Sequence, residues 1–132
     1  MREEIENILY EHLKTSLPAE FKAMLVHGHS TEDRRVPYIT LDVGELTSFS
    51  DLQAEDGIFE AEVSIAIADS AHDINYRELF KRIRAVMNAF ANFTYSDNVI
   101  EIDALTYEGE SDARDDNNLG CVMTYKAIVQ FL

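Results

Sequence analysis

Residues 108–120, EGESDARDDNNLG, set the carboxylates of Glu108, Glu110, Asp112, Asp115 and Asp116 around a single cation, Arg114. Oxygen-rich runs of this kind are what a hard divalent cation such as calcium requires. A calcium-binding loop of the EF-hand type also needs glycine at its sixth position and glutamate at its twelfth. Counted from Asp112, those places fall on Asn117 and Met123, so the pattern fails. The run is expected instead as a solvated tip between two strands, or as an acidic surface that other copies must meet.

A second candidate is the HGH triplet. In an extended chain His27 and His29 project to the same face, a spacing suited to a transition metal, and Asp33 supplies a third ligand in principle. A small metal-dependent enzyme built on these residues is the alternative from another class. The expected reading is structural or solvent-exposed, because the remaining ligands are missing. His12 and His72 join no visible cluster, and the glycines at 28, 44, 57, 109 and 120 are too scattered for a phosphate loop or a nucleophile elbow. No catalytic residue, cofactor or metal is therefore expected.

The third group is basic: Arg77, Lys81, Arg82 and Arg84. Glu78 stands three residues before Lys81 and four before Arg82, so these cations could balance charge within their own helix. They could equally form a docking face for an acidic surface on a neighbouring copy. The sequence leaves both open.

The chain around these groups is strongly acidic. Lys and Arg total 11 against 25 Asp and Glu, a net charge of −14, which repels phosphate backbones and anionic membrane surfaces. Specific nucleic-acid binding and membrane association are not expected. With 132 residues, 1–132 is read as a single domain. One cysteine, Cys121, allows no internal disulfide and is read as a small buried apolar residue. MREEIENILYEHL lacks the apolar core of a signal peptide, and no apolar run reaches the length of a membrane span, so a cytoplasmic-type protein is expected.

Hydrophobic periodicity supplies the elements that position these groups. Ile5, Ile8, Leu9, Leu13 and Leu17 predict an amphipathic helix over about 3–16, closed by Pro18. FKAMLVH (21–27), PYITLDVGEL (37–46) and GIFEAEVSIAIAD (57–69) read as strands, and in the last Phe59, Ala61, Val63, Ile65 and Ile67 share a face. Asn75 and Glu78 predict a capping box for a helix over about 76–91, with an apolar stripe of Leu79, Phe80, Ile83, Val86, Met87 and Phe90. Strands at 99–109 and 120–132 follow. The order α-β-β-β-α-β-β predicts an α+β fold with an antiparallel or mixed sheet and two helices packed on one face. The other face needs some further cover.

The strand entry at Pro37, Ile39 and Leu41, the long alternating strand, the single large helix, and the hairpin carrying Tyr107, Arg114, Asp115, Asp116 and Tyr125 come in a telling order. Together they resemble the tail terminator proteins of long, non-contractile-tailed bacteriophages and prophages, the lambda minor tail protein U type. That resemblance implies a non-enzymatic minor tail protein of the virion. It would form a homo-hexameric ring that caps the tail tube and offers a surface to the head connector protein. It also implies assembly in the bacterial host cytoplasm, final location in the virion tail, and DNA passing through the ring. Subunit-interface or ring-surface candidates are then Arg77, Lys81, Arg82, Arg84, Glu108, Glu110, Asp112, Arg114, Asp115 and Asp116. A neck or head-closure protein of the same virion type is the alternative within this class.

Overall fold

Ile5, Leu9 and Leu13 recur at helical spacing along α1 (Arg2–Ser16), and all three are fully buried. The computed structural model describes residues 2–27, 36–48, 57–70, 75–112, 114 and 116–132. α1 stops where expected, because Pro18 has no amide to continue the ladder. The chain does not then become a strand at 21. The Pro18 carbonyl accepts from the amides of Phe21 and Lys22, which opens a single helical turn, α2 (Ala19–Lys22). Phe21 drops into the core from that turn. The expected strand over 21–27 is thus shortened to β1 (Leu25–His27).

The remaining elements are β2 (Tyr38–Ser48), β3 (Ile58–Ser70), α3 (Tyr76–Phe90), β4 (Tyr95–Ser96), β5 (Ile100–Asp112) and β6 (Asn118–Phe131). Among the described residues the order is therefore α-α-β-β-β-α-β-β-β, with one short helix and one short strand more than expected. The fold is α+β with a curled, mixed sheet in the order β1-β2-β3-β6-β5-β4. Among the described strands only β1 and β2 pair in parallel; every other neighbour is antiparallel. The β3–β6 pair at the centre is continuous from Ile58↔Gln130 to Ser70↔Asn118.

Alternation sorts the side chains of these two strands. Ala61, Val63, Ile65 and Ile67 of β3 and Cys121, Met123, Tyr125, Ala127 and Val129 of β6 are buried. They share one core with Ile5, Leu9 and Leu13 of α1 and with Leu79, Ile83, Val86 and Phe90 of α3. The intervening positions are wetter: Glu62 and Lys126 are exposed, and Lys126 Nζ lies 3.3 Å from Glu60 Oε1. α1 and α3 touch directly. The His12 Nε2–H donates to the Ala89 carbonyl, and the imidazole lies against the rings of Phe90 and Phe93.

α3 begins as expected, with Asn75 Oδ1 accepting from the Glu78 amide at 3.0 Å. The reciprocal half of the expected box is replaced, because the Glu78 carboxylate instead meets Lys81 Nζ at 3.0 Å. The expected stripe of α3 also divides. Leu79, Ile83, Val86 and Phe90 are buried, whereas Phe80 is 56% exposed and Met87 38%. Phe80 and Met87 lie two turns apart in a second row beside the buried one, so burying Leu79 and Ile83 rolls them outward.

Candidate functional site

The acidic run is mostly strand rather than loop. β5 carries Glu108, Glu110 and Asp112, and only residues 113–117 separate it from β6. The pairing runs on to Asp112: Glu110↔Met123, Ser111↔Val122 and Asp112↔Cys121 continue the ladder, with the two acids exposed and Met123 and Cys121 buried. The register shifts between Tyr107 and Gly109, which leaves Glu108 as an extra residue in a bulge. Gly109 adopts φ 133°, a conformation that favours glycine. Beside the bulge Tyr107 stands directly opposite Tyr125, with ring centroids 5.4 Å apart. The Tyr107 hydroxyl donates to Glu110 Oε2 at 2.7 Å. Burial, reinforced by that carboxylate, pushes the Tyr107 phenol well above its usual range, so it stays a donor.

The described acids of this hairpin, Glu108, Glu110, Asp112 and Asp116, are all exposed, as is Arg114; Asp115 lies outside the described residues. Arg114 reaches back to α3, where its Nη1 donates to the Tyr76 hydroxyl at 3.3 Å. The hairpin tip and the start of α3 therefore form one continuous surface.

The four α3 cations separate into three kinds. Lys81 pairs with Glu78 on the surface, the internal balancing that its spacing suggested. Arg82, grouped with the others as a ring-surface candidate, is corrected by its burial: it is 8% exposed, and its Nη1 bonds Asp69 Oδ2 of β3 at 2.8 Å. Its position next to Ile83 on the inward side of α3 carries it toward the sheet. Its guanidinium also lies 5.9 Å from the Phe21 ring centroid. Arg77 and Arg84 are exposed, and among the described residues neither has an ion-pair partner. They flank Phe80 in a depression of about 470 Å³ shared with Lys81. A second groove of about 520 Å³ runs between α3 and β5, walled by Phe80, Arg84, Met87, Tyr107 and Glu110. Phe80 and Met87 were missed as surface residues. The sequence signal was their offset from the Leu79–Ile83–Val86–Phe90 row.

The histidine candidates divide as well. The His27 ring stacks on Tyr10 with centroids 3.8 Å apart. His29, Asp33 and His72 lie outside the described residues, and His12 is committed to the α1–α3 contact. Among the described residues no three His, Cys, Asp or Glu side chains come together as a metal site. No described helix is long and apolar enough to cross a membrane.

Cys121 is buried as expected, and burial, aided by Glu110 and Asp112, raises its thiol to about 11. A pKa above the ordinary thiol value means that Cys121 stays protonated and unreactive at pH 8. Labelling with a chromogenic disulfide reagent at pH 8 is expected to be negligible in the folded protein and complete in denaturant. Rapid native labelling would contradict this placement.

No protein-family model matches the chain, and no curated protein matches its sequence.

Proposed function

We propose that this protein is a structural tail terminator of a long, non-contractile-tailed phage or prophage, building a ring that caps the tail tube and presents a joining surface to the head connector. The observation that carries the reading is the β5–β6 hairpin. Tyr107 and Tyr125, two residues of the resemblance, face one another across it, and Arg114 and Asp116 stand at its tip. The residues of the resemblance thus fall on one hairpin, with Tyr125 anchoring it in the core and Arg114 and Asp116 displayed at its tip.

The rest of the architecture fits a ring subunit. We read α1 and α3 as covering a single face of the sheet, since their buried residues share one core with the inward positions of β3 and β6. The opposite face carries Glu60, Glu62 and Lys126 and is left to solvent or to another protein. In a ring, a face of this charge turned to the channel repels DNA and lets it slide. The chain's role is assembly rather than catalysis, and its place is the virion tail.

Each added copy brings a further −14, so assembly is expected to depend on screening, whose range shrinks from about 30 Å at 0.01 M salt to about 8 Å at physiological salt. Light scattering across an ionic-strength series is expected to show monomers at low salt and rings as salt or divalent cations are added. Asp112→Asn with Asp116→Asn should lower the ion concentration required. Added to purified tail tubes, the ring should bind their ends. A chain that stays monomeric throughout and ignores tubes overturns the reading, and binding to isolated connectors alone would favour the head-closure alternative.

A further inference from the structure

The sheet ends early under α3. β4 pairs only with Glu101 and Ile102, and among the described residues no strand lies beyond β5 from Asp103 to Asp112. α3 overhangs this open edge, which is why Phe80 and Met87 stand in water above the groove instead of in a core. A long unpaired edge beside an apolar groove is a template for one more strand, a hazard that folded proteins usually blunt. At the opposite end of the sheet β1 covers only Ile39–Leu41 of β2, so among the described residues no strand lies beyond β2 from Val43 to Ser48.

We infer that these two half-open edges join: the β2 edge of a second copy of this chain adds to the β5 edge and fills the groove between β5 and α3. The inference rests on the ring-building reading above and deepens it by naming the contact. Strand direction agrees. β2/β3, β3/β6 and β6/β5 are each antiparallel, so β2 and β5 run oppositely and a second copy continues the sheet in antiparallel register. On the α3 side of the groove charge agrees as well, while Glu110 on the β5 side adds to the screening that assembly requires. Arg77 and Arg84 lack ion-pair partners among the described residues, whereas the incoming strand carries exposed Glu45 on a chain of net charge −14. An exposed aromatic flanked by arginines is also the composition of an interface anchor. The contact uses two different surfaces of one chain, so it repeats head to tail and closes into a ring if its rotation closes.

Two variants test it. Phe80→Glu with Arg84→Glu spoils the groove at two exposed positions. Glu45→Pro spoils the β2 edge at a bulge, where Gly44 and Glu45 together stand opposite Glu62 alone, between Val43↔Val63 and Leu46↔Ala61. If Glu45→Pro fails to fold by circular dichroism, Glu45→Lys replaces it. Under salt conditions where wild type assembles, each variant alone is expected to be monomeric by light scattering. An equimolar mixture should give a heterodimer and nothing larger, since one intact groove then meets one intact edge. Wild-type-like rings from either variant, or a mixture that remains monomeric, overturn this contact while leaving the ring reading in place. A wild-type chain that never assembles overturns this contact, and the ring reading as well if it also ignores tail tubes.

Discussion

Replacing Arg82 with methionine is expected to cost about 3–5 kcal/mol, because it leaves the Asp69 carboxylate buried without its countercharge. Asp69 is 5% exposed, and its two oxygens are held by Arg82 Nη1 at 2.8 Å and the Ser70 amide at 2.7 Å. Loss of the guanidinium removes the charge partner and the contact with Phe21 together, so α3, β3 and α2 all lose a common tie. For a domain of this size the melting temperature should fall by roughly 10–20 °C. The pair itself is not expected to be a large source of stability. The Arg82 Nε is buried with no hydrogen-bond partner among the described residues, which is a standing cost. The double variant Arg82→Met with Asp69→Leu should therefore recover most of the loss, as apolar replacements of buried ion pairs commonly do. Thermal melts of the three proteins decide it: a single variant within about 1 kcal/mol of wild type would contradict the burial described here.

Ile83→Asp is expected to have the larger effect and to leave no folded protein at room temperature. Ile83 is 6% exposed in the row of α3 that packs into the common core, so a carboxylate there is taken out of water among apolar side chains. The cost is expected to be about 5 kcal/mol or more, which equals the whole stability of a domain at the low end of the usual range. Phe80→Asp, three residues earlier on the same helix, is expected to change stability by no more than about 0.5 kcal/mol, since its ring is already largely in water. Urea denaturation of both variants measures the contrast. Equal sensitivity at the two positions would mean that α3 is rolled differently about its axis.

Arg82 and Phe80 sit where sequence and structure part company, whereas Ile83 is buried as its spacing suggested. Alternation along β3 and β6 and the helical spacing of α1 were legible because each strand or helix carries its own period, 2 or 3.6 residues, whatever it packs against. Asn75 likewise announced the start of α3 through a local bond to the Glu78 amide. The acidity of the hairpin and the apolar setting of Cys121 could also be read directly. Other features depended on distant partners. Nothing near Arg82 in sequence distinguishes it from Arg77 or Arg84; Asp69, thirteen residues away on β3, draws it inward. Phe80 and Met87 look like core residues until the sheet is seen to end at β5, with too little strand beyond it to cover them. The short turn at Ala19–Lys22 was hidden because four residues, AEFK, are too few to show a helical period, and packing of Phe21 decided its conformation.

By itself, then, the sequence determined the class of fold, the two main helices, the inward face of the central strands and the acidic character of the surface, because each follows from local periodicity or composition. Tertiary structure alone decided which cation is buried and which are displayed, which half of the α3 stripe faces water, and which strand edges remain open. Those outcomes are set by side chains and strands brought together from far along the chain, and no local pattern records them.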